Sequence, residues 1–341
     1  MSEVQGRSQQ ARSAAGSGEA GAAGNLGAAS PAPPADWATQ RERSNLWVLR
    51  LMGAIAVYAG RPLARLVLHP IALYFLVANG PARRASRAYL ARALQRPAGW
   101  RDSYRHIHSF AATVLDRVYF LKGRLAQFEI ESHNVAAVEA VLAEGQGVML
   151  LGAHLGSFEA LRAGAQSVGT RAAMLMYEDN ARLISATLRA IAPDVQLHTI
   201  ALGRPGAMLA LRRWLADGGM AGLLADRTLP GHSGRSRTLV LPFLGQPAPF
   251  SDGPLRLAAL LRQRVFFMAG LYHGGQRYSL CFEPLADFRT TSGPALEAQI
   301  QAAVQRYVAL LESTCRAAPY NWFNFYDFWA SDATSTSATP D

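Results

Sequence analysis

The first place in this chain where side-chain types and spacing could do chemistry is the segment Leu150-Leu151-Gly152-Ala153-His154-Leu155-Gly156-Ser157-Phe158-Glu159. A histidine follows directly on an apolar run, and a glutamate comes five residues later, within the first turn or so of the next helix. An imidazole that titrates near neutrality and is oriented by a carboxylate can take the proton of a weakly acidic alcohol as the oxygen attacks a thioester carbonyl. The carboxylate then fixes the tautomer and stabilises the imidazolium, as aspartate does in a serine-protease triad. Five residues is one more than the spacing that stacks two side chains on a helical face, so His154 is expected ahead of the helix with Glu159 reaching back to it. Gly156 relieves crowding at that corner. The competing reading makes His154 a helix cap and Glu159 a complement to the helix dipole. The HExxH of a zinc protease is absent, and so is the GxSxG elbow of a serine hydrolase, because the residue two after Ser157 is Glu159.

A second polar exit from an apolar run is Leu223-Leu224-Ala225-Asp226-Arg227, where a buried ion pair is the alternative to a functional role. Beyond it, Arg235 and Arg237 lie on a loop over 228–238, either a basic lid that meets phosphates or an acidic carrier protein, or simply a solvated loop. The start of a helix over 254–264 offers backbone N–H groups to an anion.

These exits need strands to carry them. Residues 127–131 alternate like a strand, Asn134 is placed to cap a helix through 143, and 148–151 form a buried strand. The alternation continues with a helix from 157, strands at 172–176, 195–199 and 220–225, and helices over 181–192 and 205–216. Repeated β and α units imply an α/β fold, a mainly parallel, helix-covered sheet whose ligands sit beyond the carboxyl ends of its strands. A helix over 294–315 is expected to pack on the core, and Phe266, Phe267, Phe282 and Phe288 either line an acyl groove or fill the core.

The chain divides into a disordered tail over 1–36, rich in Gly, Ala, Ser and Pro, a helical membrane-anchoring region over 37–125, a catalytic domain over 126–330 and a second disordered tail over 331–341. Within the second region the apolar stretches 46–60 and 63–79 each fall short of the ~20 residues of an upright span. They are expected to form a hairpin that dips into one leaflet, with a simple span or a pair of soluble core helices as alternatives. Arg83, Arg84, Arg87 and Arg92 follow and would meet anionic headgroups.

The formal net charge of +10 favours an anionic partner. Lys122 is the sole lysine, and no aromatic-basic ladder or zinc-finger spacing indicates nucleic acid. Cys281 and Cys315 are far apart and outside any CxxC, which points to neither a disulfide framework nor a structural metal, and the start lacks the pattern of a secretory signal.

In order along the chain, these features resemble the late acyltransferases of lipid A biosynthesis, within the superfamily marked by a histidine, four residues, then Asp or Glu. The resemblance runs from the Trp37 and Arg41-Glu42-Arg43 entry, through His154-Leu155-Gly156-Ser157-Phe158-Glu159 and Asp226-Arg227, to Leu241-Pro242-Phe243-Leu244-Gly245-Gln246-Pro247-Ala248-Pro249-Phe250 and the aromatic closure Pro319-Tyr320-Asn321-Trp322-Phe323-Asn324-Phe325-Tyr326. It implies a glycerolipid acyltransferase-like fold and transfer of an acyl chain from a thioester to a lipid hydroxyl. His154 would be the base and Glu159 its partner, Gly156, Asp226, Arg227 and Arg235 would contact substrate, and backbone N–H groups or Arg227 would hold the oxyanion. The donor is expected to be acyl carrier protein ahead of coenzyme A, with no separate cofactor or metal, at the cytoplasmic face of a bacterial inner membrane. A thioesterase or lipase and a catalytically silent lipid-binding protein are the alternatives. One departure concerns the acceptor, because Glu178 stands where the family often has the arginine of Tyr-Arg-Pro, and a carboxylate repels a phosphorylated sugar.

Overall fold

The computed structural model describes residues 60–167, 170–177, 198–227 and 237–329. Trp37, the stretch 46–59, both expected tails, Glu178, the expected helix over 181–192 and Arg235 lie outside these residues.

The expected α/β architecture is what the chain adopts. A central strand, β2 (Val148–Gly152), is buried along its whole length. It is flanked in parallel by β5 (Met220–Leu224) and β8 (Arg264–Tyr272). The sheet continues through β3 (Ala172–Tyr177) to β4 (Thr199–Leu202) on one side, and through β9 (Arg277–Asp287) to β1 (Glu129–His133) on the other. Strands buried on both faces show unbroken apolar runs rather than alternation, yet the side chains still alternate in space. Met149 and Leu151 of β2 and Val265, Phe267, Ala269 and Leu271 of β8 enter one core, while Val148, Leu150, Phe266 and Met268 enter the other. The four phenylalanines considered for an acyl groove are therefore core residues split between two layers: Phe267 and Phe288 in the first, Phe266 and Phe282 in the second.

The sheet is not parallel throughout. β8 and β9 form an antiparallel hairpin, and β1 adds in parallel to β9, so the edge pair runs against the rest. A separate hairpin joins β6 (Thr238–Phe243) to β7 (Gln246–Ser251) through Leu244-Gly245, both at positive φ, the signature of a two-residue primed turn. Leu244 tolerates that backbone with its N–H held by Glu312 Oε2 at 2.7 Å.

Helices cover both faces. The second core is roofed by α1 (Gly60–Ala78), α3 (Trp100–Leu121), α4 (Val135–Ala143) and α5 (Phe158–Ser167). The first is covered by α2 (Gly80–Ala93), α6 (Ala207–Ala216), α7 (Gly253–Leu260) and α8 (Pro294–Ala317). Two expected helix starts are observed in detail. Asn134 is the N-cap residue of α4, as expected, but in a left-handed conformation with its side-chain amide given to Glu283 instead of the helix N–H groups. At the start of α7 the Asp252 carboxylate accepts from Arg237 N and Arg256 Nε at 2.7 Å each, and Gly253 N donates to Ser251 Oγ at 3.1 Å.

Of α1, only the stripe Ala64, Leu68, Ala72 and Leu76 is buried; Leu63, Leu66, Leu73, Tyr74, Phe75 and Val77 are exposed. At 19 residues the helix is long and apolar enough to cross a membrane, and its outer face is that of a membrane-associated segment. It is tied to the domain by charge. Arg61 grips the fully buried Asp116 of α3 through two hydrogen bonds (2.8 and 2.9 Å), and Tyr278 OH donates to the same carboxylate at 2.9 Å. Arg65 reaches Tyr272 OH and the Gly275 carbonyl. Removing one partner of a buried ion pair strands the other. Asp116→Ala is expected to cost about 3 kcal/mol in denaturant unfolding and to open the α1 junction to limited proteolysis; a midpoint equal to wild type would show that Asp116 does not anchor α1.

Candidate active site

The site is built where β2 and β5 end side by side. Their parallel register matches Val148 with Met220 and Gly152 with Leu224, a constant offset of 72 residues. Ala225 N continues the ladder to Gly152 O at 2.9 Å. One step further the same offset matches His154 with Asp226, and there the side chains meet: His154 Nδ1 lies 2.9 Å from Asp226 Oδ1, and His154 N donates to Oδ2 at 3.0 Å. Two polar strand exits that are far apart in sequence thus become one site.

Asp226 is 2% exposed. Burial pushes a carboxylate pKa up. Here that effect is outweighed by the charge and hydrogen bond of His154, the charge of Arg227 and the indole N–H of Trp322, which donates to Oδ2 at 2.9 Å, so the group is held well below the usual carboxylate range. An ionised carboxylate only accepts, so the Nδ1 proton stays on the ring and Nε2 is left as the ring's basic nitrogen. The His154 side chain is 31% exposed, open enough to meet a reactant.

This corrects the expected dyad. Glu159 is buried in the first turn of α5, ion-paired to Arg117 Nε of α3 at 2.8 Å, with Ser157 Oγ 3.5 Å from its carboxylate. The carboxylate that holds the imidazole is Asp226. The physical reason is the corner itself: Gly156 bends the chain with φ +68°, and α5 starts pointing its first turn toward α3.

Gly156 is fixed by sterics. A Cβ there would run into the Gly270 carbonyl oxygen, and a Cβ on Gly270 would run into that of Ser157, because the corner crosses β8 at backbone contact. The backbone donors of the corner are already used: Gly156 N binds Asn321 O (2.8 Å), Ser157 N binds Gly270 O (2.7 Å) and Leu155 N binds Ala153 O (2.6 Å). An oxyanion hole formed by the N–H groups of 154–157 is therefore not available in this arrangement. Arg227 stands beside Asp226 with its guanidinium 5.4 Å from the centroid of the Tyr326 ring. Arg237 is drawn away from the site to Glu297 of α8 at 3.2 Å.

The sequence pattern did not assign the segment after α8 any role in positioning. Residues 319–326 lie across the corner as a strap: Leu155 bridges Trp322, Phe323 N donates to His154 O at 2.7 Å, and the Asn321 side chain bonds both N–H and C=O of Tyr272. Trp322 is fully buried among Tyr89, Phe243, Phe328 and Trp329. An indole N–H aimed at a carboxylate ~100 residues earlier leaves no local periodicity to read. Tyr307 of α8 also supports the site, donating to Gly152 O at 2.8 Å.

No curated protein matches the chain. Residues 44–331 match the family described as bacterial lipid A biosynthesis acyltransferase, a span that includes the sheet, the histidine corner, Asp226 and the strap. That match covers well over half of the sequence, and the chain belongs to the bacterial lipid A biosynthesis acyltransferase family.

Proposed function

We propose that the protein transfers an acyl chain from a thioester, carried by acyl carrier protein ahead of coenzyme A, to a hydroxyl of a lipid acceptor, with His154 as general base and Asp226 as its partner. The observation that carries this reading is the hydrogen bond between His154 Nδ1 and a buried, ionised Asp226, which leaves Nε2 basic and partly exposed. The acceptor hydroxyl gives its proton to Nε2 as its oxygen attacks the thioester carbonyl. The C–S bond then breaks, and the imidazolium returns the proton to the leaving thiolate. Asp226 offsets the transient charge on the ring. We assign the oxyanion to Arg227, whose charge acts on Asp226, since the backbone donors of the corner are engaged. Glu159 supports the corner through Arg117 and Ser157.

The net positive charge fits an acidic carrier protein. Glu178, in place of an arginine, disfavours a phosphorylated sugar, so aryl-polyene or ornithine lipids stand beside lipid A as acceptors. The exposed apolar face of α1, followed at once by Arg83, Arg84 and Arg87, supports attachment to an anionic membrane surface, the cytoplasmic leaflet of the inner membrane.

Turnover of radiolabelled acyl carrier protein with a panel of lipid alcohols tests the assignment. His154→Ala and Asp226→Asn are each expected to lower kcat by about a hundredfold or more, whereas Glu159→Gln lowers it by less than about tenfold and mainly reduces thermal stability. A larger loss for Glu159→Gln than for Asp226→Asn would return the orienting role to Glu159. Product that forms without any alcohol, as free fatty acid, would mark a thioesterase instead.

Attachment is tested separately by sedimentation with vesicles containing phosphatidylglycerol. The double variant Leu66→Glu/Leu73→Glu removes two exposed leucines of α1 and is expected to weaken partitioning at least about tenfold. Equal partitioning would assign membrane contact to a different part of the chain.

A further inference from the structure

Trp322 is fully buried, and its indole N–H ends on the Asp226 carboxylate. Among the described residues Asp226 Oδ2 accepts from the indole N–H at 2.9 Å and the His154 backbone N–H at 3.0 Å, and Oδ1 meets the imidazole at 2.9 Å. The strap is in turn held from below. His106 is fully buried between Ser86 Oγ (3.0 Å from Nδ1) and the Trp322 carbonyl (2.8 Å from Nε2). Burial pulls the His106 pKa down to about 4, against the opposing pull of the Trp322 carbonyl. The ring is neutral, and since a carbonyl only accepts, Nε2 carries the proton and Nδ1 receives the Ser86 hydroxyl. His106 of α3 thus holds the Trp322 carbonyl.

We propose that Trp322 is a positioning residue for the proton transfer, acting through Asp226: its N–H draws carboxylate charge toward Oδ2, which fixes the carboxylate plane and weakens Oδ1 as a partner for the imidazolium. The proposal rests on His154 being the base. With the indole N–H in place, Asp226 orients the ring while sharing its charge with a second donor. Without it, charge returns to Oδ1 and the imidazolium is stabilised. A Trp322 that only filled space would leave the titration of His154 unchanged when its N–H alone is lost.

The test reads the titration of His154 directly, by NMR of protein labelled at histidine Cε1; of the eight histidines, the signal missing in His154→Gln assigns the residue. Trp322 is replaced by phenylalanine and, at the same site, by the benzothiophene analogue of tryptophan, which keeps the bicyclic ring and lacks the N–H. In both, the His154 midpoint is expected to rise by roughly one unit. The acidic limb of the kcat profile should move with it, so turnover falls up to about tenfold below the new midpoint and recovers above it, with KM for the donor unchanged. An unchanged midpoint in the folded benzothiophene protein, whose other histidine signals match wild type, overturns the proposal. Because the midpoint is read without substrate, it is separable from the proposed activity: if His154→Ala retained full transfer, the base assignment would fall whatever the titration showed.

Discussion

The site depends on one constraint, the register between β2 and β5. Both strands are buried among apolar layers, and alternate residues of β2 serve opposite cores. A slip of one residue would send Met149 and Leu151 to the layer built for Val148 and Leu150 and would move His154 off Asp226 at the same time. Packing therefore enforces the chemistry. The apolar cores hold the strands in the only alignment that brings an imidazole to a carboxylate, and neither polar residue needs a flexible loop to find the other.

The carboxylate is an expensive group to place there. An ion removed from water is tolerated only when hydrogen bonds and opposite charge replace its hydration. Asp226 receives that from the imidazole, the His154 backbone, the Trp322 indole and the nearby Arg227. His154, Arg227 and Trp322 come from three parts of the chain, so the sheet, the corner and the strap are coupled through one side chain. Glu159 solves a similar problem separately, with Arg117 on the neighbouring helix.

Much of this was legible in the sequence. The run 148–151 announced a buried strand, His154 and Asp226 stood at two polar exits, and the βα alternation implied a helix-covered sheet. The pairing of His154 was misread because proximity in sequence favoured Glu159, whereas β5 lies beside β2 only after the chain has passed through β3 and β4 on the far side. Strand order of that kind leaves no trace in periodicity. The antiparallel turn at β9 was hidden for a related reason: Phe266 to Leu271 are buried on both faces, so their pattern does not distinguish a strand direction. The strap was visible only as a cluster of aromatics near residue 322, since its work is done by main-chain groups and one indole N–H.

The strap also bears on how the chain matures. A ribosome delivers β2 and β5 well before residues 319–326, and until those residues emerge the corner at Gly156 lacks the Asn321 carbonyl and Asp226 lacks its indole. A nascent chain can thus assemble its sheet while the hydrogen bonds around Asp226 are still incomplete. His154 and Asp226 therefore reach their full set of contacts only once the last aromatic segment of the chain is in place.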